Sequence, residues 1–186
     1  RLCGRPMLMY VLDALGSCHL DVAAIVVGHK ADWVTKKVSE EEVGFHLEFV
    51  EQRVRRGTGD ATLMGLVGLP DDHDEADVVV VPGDTPLLRP QTLVRLVEQH
   101  RASGAAATVL TMRVEGPTAY GRIVRGKDGR VVRIVEQRDA SPEELAIDEV
   151  NTSVYCFRQS VLAPALRRIE PDNAQGEYYL TDVVEV

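Results

Sequence analysis

The run Ala76-Asp77-Val78-Val79-Val80-Val81-Pro82 limits the choice of fold more than any other stretch of the chain. Valine is stiff at χ1 and favours extended backbone, so four valines in succession predict a strand. They also leave that strand no polar face. A strand that is apolar on both faces must be covered on both, as in a parallel sheet with helices above and below it. Residues 76–82 are therefore expected to form a central strand of a parallel sheet.

The surrounding pattern fits that expectation. Met7, Leu8, Val11, Leu12 and Leu15 recur at helical spacing and predict a helix over 5–17, with Pro6 in its first turn. Residues 21–28 are a short apolar run ending in glycine, which predicts a buried strand. Helices are expected over 31–38, 58–69 and 90–102, the last with Leu93, Leu96, Val97 and His100 on one face. Strands are expected over 47–52 and 105–114. This alternation predicts an α/β fold with a doubly wound, mostly parallel, Rossmann-like sheet.

After Val114 the pattern changes. Residues 120–125 and 130–137 flank Lys127-Asp128-Gly129 and predict a β-hairpin, expected as a lid or insertion. Ser141 and Glu144 make a capping box for a short helix. A strand over 149–158, a helix over 159–168 and the start of a helix over 178–186 complete the reading. No linker divides residues 1–186, so a single domain is expected. A sheet of this class normally opens with a strand, whereas this chain opens just before a helix. The expectation is a domain truncated at both ends.

Charge narrows the function. The 186 residues carry 21 Lys+Arg against 29 Asp+Glu, a net −8. Such a chain lacks the basic surface that nucleic acid or an anionic membrane requires. A small phosphorylated ligand held by local groups stays open. Cys3, Cys18 and Cys156 are odd in number and form no CxxC pair, so they are expected to be reduced packing residues. With no apolar run near the roughly 20 residues of a membrane span and no signal-peptide pattern, the expected compartment is the cytoplasm.

Two places carry chemistry. Gly83-Asp84-Thr85-Pro86 follows the valine run directly, and ligands of open α/β sheets sit outside the carboxyl ends of the strands. Asp84 there is either a carboxylate for a hard cation, which takes one or two carboxylates plus phosphate oxygens, or a turn-capping aspartate. Arg56-Gly57-Thr58-Gly59-Asp60 lies between a strand and a helix. Its glycines permit close approach of a ligand or simply make a tight turn. The stretch from Gly121 to Asp128 is a near miss to a P-loop, and Asp128 stands where Ser or Thr must hold the metal. There is no GxSxG elbow, and the histidines do not pair at metal spacing. His29, following a strand, is read as a loop residue. The acidic stretches 40–42 and 71–75 are expected to be solvated surface, and Trp33 and Tyr155 are expected to be packing residues.

Taken in order, several segments carry a resemblance: Gly4-Arg5-Pro6-Met7, Gly57-Thr58-Gly59, Gly83-Asp84-Thr85-Pro86-Leu87-Leu88, Tyr120-Gly121-Arg122-Ile123, Ile134-Val135-Glu136-Gln137-Arg138-Asp139-Ala140, Glu149-Val150-Asn151-Thr152 and the run from Asn173 to Asp182. Together they resemble the uridylyltransferase domain of the bifunctional bacterial enzyme that makes UDP-N-acetylglucosamine. The resemblance implies a nucleotide-diphospho-sugar transferase fold. It implies transfer of uridylyl from UTP to N-acetylglucosamine 1-phosphate, with release of pyrophosphate, for cell-wall precursor synthesis. On that resemblance Asp84 would bind Mg²⁺ and be catalytic. Gln52, Gly57 and Thr58 would hold the uracil; Gly121, Glu136 and Asn151 would contact the sugar phosphate; Tyr179 and Thr181 would close the sugar side. It also implies a homo-oligomer, a trimer, in the full-length enzyme.

Several features of the family pattern are not matched. Its first strand and glycine-rich turn are expected to be absent, with the lysine that follows them, as are a second metal-ligating asparagine beyond Val186 and a β-helix. Asp60 stands where a histidine is usual, and Ser153 where a glycine is usual. The rivals are a nucleotidyltransferase for another sugar phosphate or nucleotide, and a non-catalytic fragment that binds nucleotide sugar.

Overall fold

The computed structural model describes residues 2–70, 76–116 and 118–186; the acidic stretch 71–75 lies outside the described residues. The first half alternates α1 (Met7–Gly16), β1 (Val22–Val27), α2 (Ala31–Ser39), β2 (His46–Glu51), α3 (Thr58–Val67), β3 (Asp77–Val80), α4 (Pro90–Ser103) and β4 (Ala107–Arg113). The second half adds β5 (Arg122–Arg125), β6 (Val131–Val135), α5 (Pro142–Leu145), β7 (Glu149–Arg158), α6 (Gln159–Leu166) and a 3-10 helix (Leu180–Val184). Pro6 is the N-cap of α1, one place before the helix. The predicted capping box forms, with Ser141 and Glu144 each bonding the other's backbone. The last segment closes as a 3-10 turn instead of the expected α-helix.

The organising strand is β7. It is buried along most of its ten residues, and β3, β4 and β5 all pair with it, each antiparallel. Its side chains alternate between two apolar clusters. Val154 and Cys156 enter one with Met9, Leu12 and Leu93 from α1 and α4. Tyr155 and Phe157 enter the other with Ile123, Leu162, Leu166 and Leu180. A period of two along one strand thus feeds helices on both faces, which is the doubly wound arrangement. The hairpin β5–β6 continues this sheet, since Arg122 pairs with Val150 of β7.

Two expectations change here. The valine strand β3 was expected in the middle of a parallel sheet. Among the described residues it pairs only with β7, and antiparallel, because the longer strand takes the middle position. The 105–114 strand was expected to be buried, yet β4 is half-exposed at the sheet's margin. Among the described residues, parallel pairing is confined to β1 with β2.

The sheet is consequently split between β1 and β3. A cavity of about 1480 Å³ occupies the split, lined by residues 21–28 on one side and 76–83 on the other. Leu8, Val11, Leu12 and Leu15 of α1, and Ala61, Gly65 and Leu66 of α3, also line it. This explains why the apolar strand β1 is mostly half-exposed instead of fully buried.

One ion pair ties the hairpin to β7. Glu149 is buried, and accepts from Arg125 Nε at 2.8 Å, Arg125 Nη2 at 2.6 Å and Thr111 Oγ1 at 2.7 Å. The arginine, above all, holds the Glu149 carboxyl down from its ordinary 4.5 to about 2. A depressed carboxyl contributes stability above its unfolded value and loses it as pH falls through the folded one. Glu149→Gln is expected to cost about 2 kcal/mol at pH 7, because Arg125 loses its charge partner. It should also flatten the acid limb of a Tm–pH curve between about 4.5 and 2. A variant as stable and as acid-sensitive as the parent would contradict this.

Candidate active site

The site begins with a backbone contact between distant parts of the chain. Gly57 is the N-cap of α3 at φ 110, a conformation that side-chain-bearing residues rarely adopt. A Cβ there would also run into the Tyr178 carbonyl oxygen. The Gly59 N–H donates to that oxygen at 2.8 Å, and the Tyr178 N–H donates to the Arg56 carbonyl at 2.7 Å. The Leu180 N–H donates to Thr58 Oγ1 at 3.0 Å. The glycine turn therefore fixes residues 178–181 across the start of α3.

Those residues reach the hairpin. Thr181 Oγ1 donates to Glu136 Oε1 at 3.4 Å. A Cβ on Gly121 would lie 3.4 Å from both Glu136 carboxylate oxygens, so glycine leaves that carboxylate room. The Asn151 N–H donates to the Gly121 carbonyl at 2.9 Å. Thr58, Glu136 and Thr181 line the large cavity together with Gly28, Gly83, Ser153 and Tyr155. The cavity thus runs out at the carboxyl ends of β1 and β3, where ligands of α/β sheets bind.

Other predicted residues stand beside or behind this wall. Gln52 lies at the end of β2, and its Nε2 donates to Asp60 Oδ2 at 2.7 Å. The aspartate found in place of the usual histidine thus fixes which way the Gln52 amide points, leaving its Oε1 to accept. Asn151 is buried. Its Nδ2 donates to the Tyr155 hydroxyl at 2.7 Å, and its Oδ1 accepts from the Ser153 N–H at 2.9 Å. That second bond steadies Ser153 at φ 60, where β7 bulges against β4 and where glycine would sit without strain. Tyr179 is buried, and its hydroxyl accepts from Gln175 Nε2 at 2.7 Å. Of the rejected candidates, His29 is exposed and Gly126 to Gly129 form the hairpin turn. Trp33 was expected to pack, yet it is 49% exposed.

Asp84 sits in the turn after β3, exposed, and no hydrogen bond or ion pair to it is found among the described residues. A carboxylate left to solvent at a strand end fits a hard cation that completes its shell with phosphate oxygens and water. Among the described residues, Asp84 belongs to no cluster of three or more potential metal ligands.

Glu136 has two acidic neighbours, Asp139 and Asp182, that the sequence did not single out. Burial chiefly pushes the Glu136 carboxyl up. Asp182, at the end of the same segment as Thr181, is pushed up to about 6 by burial first, then by Glu185, Glu136 and Asp139. The signal lay in the sequence: Glu136, Asp139 and Asp182 belong to the two segments that dock together. Arg122 was also missed. It is buried, and its guanidinium donates to the carbonyls of Thr118 and Tyr120, which sets the loop carrying Gly121.

Comparison with known proteins agrees with the geometry. The family model described as nucleotidyl transferase matches residues 2–186. Bifunctional protein GlmU of Shouchella clausii is 44% identical over 185 residues, covering 100% of this chain and 39% of its own length. Bifunctional protein GlmU of Geobacter metallireducens is 45% identical over 184 residues, covering 98% of this chain and 37% of its own length. The chain thus spans about two fifths of the curated relatives it matches. A solved UDP-glucose pyrophosphorylase complexed with UDP-glucose superimposes with a TM-score of 0.71 at 18% identity, over 98% of this chain and 75% of that one, a likeness of fold. Among the described residues no helix is long and apolar enough to cross a membrane.

Gly57→Ala is expected to lose at least about 3 kcal/mol, since it combines a forbidden φ with a backbone clash. Thermal unfolding measures it, and an unchanged Tm would show that the turn does not fix residues 178–181. Asp182 gives a pH prediction. A carboxyl raised by folding contributes most below its unfolded value of 3.8 and loses that contribution as pH rises through about 6. Asp182→Asn should therefore stabilise by about 1 kcal/mol at pH 8 and change little near pH 4. An equal gain at both pH values would contradict the assignment.

Proposed function

The chain belongs to the nucleotidyl transferase family, and from that premise we propose that its site serves uridylyl transfer from UTP to N-acetylglucosamine 1-phosphate, releasing pyrophosphate. The single observation behind this reading is that the Gly57–Gly59 turn, the 178–181 segment and Glu136 meet in one cavity at the strand ends, with Asp84 next to it. The close relationship to bifunctional GlmU proteins along the whole chain supports the choice of substrates.

In this reading the residues divide the work by chemistry. Gln52 presents an amide oxygen to a pyrimidine N–H, while Asp60 holds its other end. The Gly57–Thr58 turn at the start of α3 offers backbone groups to the base. Glu136 accepts hydrogen bonds from sugar hydroxyls or the acetamido N–H. Thr181 holds that carboxylate in place. Gly121 leaves space above it, and Asn151 with Tyr155 backs the same wall. Tyr179, fixed by Gln175, packs the sugar side shut. Asp84 is the residue that would hold Mg²⁺ together with the substrate phosphates. When bound, that ion supplies charge neutralisation for two anionic reactants brought together.

The reaction asks little else of the protein. The sugar phosphate oxygen attacks the α-phosphorus of UTP, and pyrophosphate carries away the bonding pair. The attacking phosphate is already an anion, so no basic side chain must remove a proton. Positioning and electrostatics supply the rate in such transfers. That agrees with a site rich in amides, glycines and carboxylates. The reading carries with it a cytoplasmic location and trimeric assembly of the complete enzyme.

The test is pyrophosphate release with UTP, N-acetylglucosamine 1-phosphate and Mg²⁺, compared across a panel that includes dTTP with glucose 1-phosphate. Asp84→Asn is expected to lower turnover at least about 100-fold through lost positioning of the ion. Near-normal turnover in that variant would remove Asp84 from the mechanism. A preference for dTTP with glucose 1-phosphate would overturn the substrate assignment.

A further inference from the structure

The face of the sheet beneath α4 gathers three side chains that can each ligate a metal ion. Val79 of β3, Cys156 of β7 and Thr108 of β4 stand in one registered row, so their side chains share a face. Asp77 lies two residues before Val79 on β3 and shares that face. Cys156 joins the apolar cluster formed with α1 and α4 there. His100 follows Leu93, Leu96 and Val97 along the buried stripe of α4 and meets the same face. The result is a half-buried carboxylate, a buried imidazole and a buried thiol whose ligand atoms all lie within 4.8 Å of one another.

Their other contacts orient them. His100 Nδ1 lies 2.8 Å from Thr108 Oγ1, and Nε2 on the far side of the ring lies 3.4 Å from Asp77 Oδ1. Asp77 Oδ2 accepts from Arg101 Nε at 2.6 Å, which leaves Oδ1 toward the imidazole. Among the described residues no hydrogen bond joins His100 Nε2 to Asp77 or reaches Cys156 Sγ. Metal-binding histidines and carboxylates are held in this manner, with the far atom of each engaged by a polar neighbour. A tetrahedral zinc ion with bonds of about 2.0–2.3 Å places its ligand atoms about 3.3–3.6 Å apart. The Asp77–His100 separation of 3.4 Å already matches. The sulfur, within 4.8 Å of both, has no more than about 1.5 Å to travel.

We propose that Asp77 Oδ1, His100 Nε2 and Cys156 Sγ bind one Zn²⁺ ion, with water in the fourth position. The donors select the ion: one sulfur, one nitrogen and one oxygen suit zinc, whereas Mg²⁺ and Ca²⁺ take oxygen. On coordination the Cys156 thiol gives its proton to solvent and its sulfur shares a lone pair with the metal. Thiolate and carboxylate together balance the charge of the ion. His100 keeps its Nδ1 proton and donates it to Thr108. The ion ties α4 to β3 and β7, at the end of β3 opposite the Asp84 turn. The proposal does not rest on the uridylyl-transfer reading.

The test is titration of the whole, reduced chain with Co²⁺, a spectroscopic stand-in for zinc. Intense tetrahedral bands in the visible and a thiolate-to-cobalt band in the near ultraviolet are expected, both complete at one equivalent. Zn²⁺ should displace the cobalt with a Kd of about 1 µM or tighter. An ion held at Asp84 by oxygen alone gives no thiolate band. Cys156→Ser is expected to abolish that band, and His100→Gln to weaken binding at least about 100-fold. Thr108→Val should weaken it about tenfold, through lost orientation of the ring. Cys3→Ser combined with Cys18→Ser should keep both bands, because neither thiol belongs to the cluster. X-ray absorption at the zinc edge of the unaltered chain is expected to count one sulfur beside lighter ligands at about 2.0 Å, and it decides the question even if the Cys156 variant misfolds. A zinc shell without sulfur, no thiolate band at saturating Co²⁺, a band that survives Cys156→Ser, or one lost with Cys3 and Cys18 would overturn the proposal.

Discussion

The arrangement of the site depends on one close approach: the backbone of Gly57–Gly59 against the backbone of Tyr178–Leu180. These segments are far apart in sequence, and only the absence of side chains at Gly57 and Gly59 lets their peptide groups exchange hydrogen bonds. From that contact the geometry follows outward. Thr58 accepts the Leu180 N–H, Thr181 reaches Glu136, and Gly121 leaves the carboxylate uncovered. The first half of the chain, which carries the glycine turn, is joined in this way to the hairpin half.

The second constraint is the sheet. β7 supplies the middle position, and its alternating side chains build both apolar clusters. The split beside β3 lies on the other side of the same strand that delivers Asp84 to the surface. The carboxylate and β3 are separated by only a few residues.

Much of this was legible in the sequence, because periodicity reports burial. The helices over 5–17 and 90–102 and the strand over 149–158 followed from apolar spacing, and the capping box at Ser141 followed from two residues. The direction and neighbours of β3 did not. Four valines state that both faces are covered, but they carry no information about which strand lies alongside. The exposed Trp33 escaped for a related reason, since size and apolarity favour burial without requiring it. In the site, motif order singled out candidate residues without their contacts. What it could not convey was that Asn151 spends its amide on Tyr155 and Ser153, or that Asp182 joins Glu136 and Asp139. Such contacts arise only when separate segments fold together.

The central claim is that a nucleotide sugar lies in the cavity mouth between the glycine turn and the hairpin. Backbone amide chemical shifts, followed while UDP-N-acetylglucosamine and Mg²⁺ are added, test it most directly. The account predicts saturable changes centred on Gly57, Thr58, Gly121, Glu136 and Thr181, with Asp84 responding only when Mg²⁺ and nucleotide are both present. Saturable changes confined to other surfaces, or none at millimolar ligand, would contradict it.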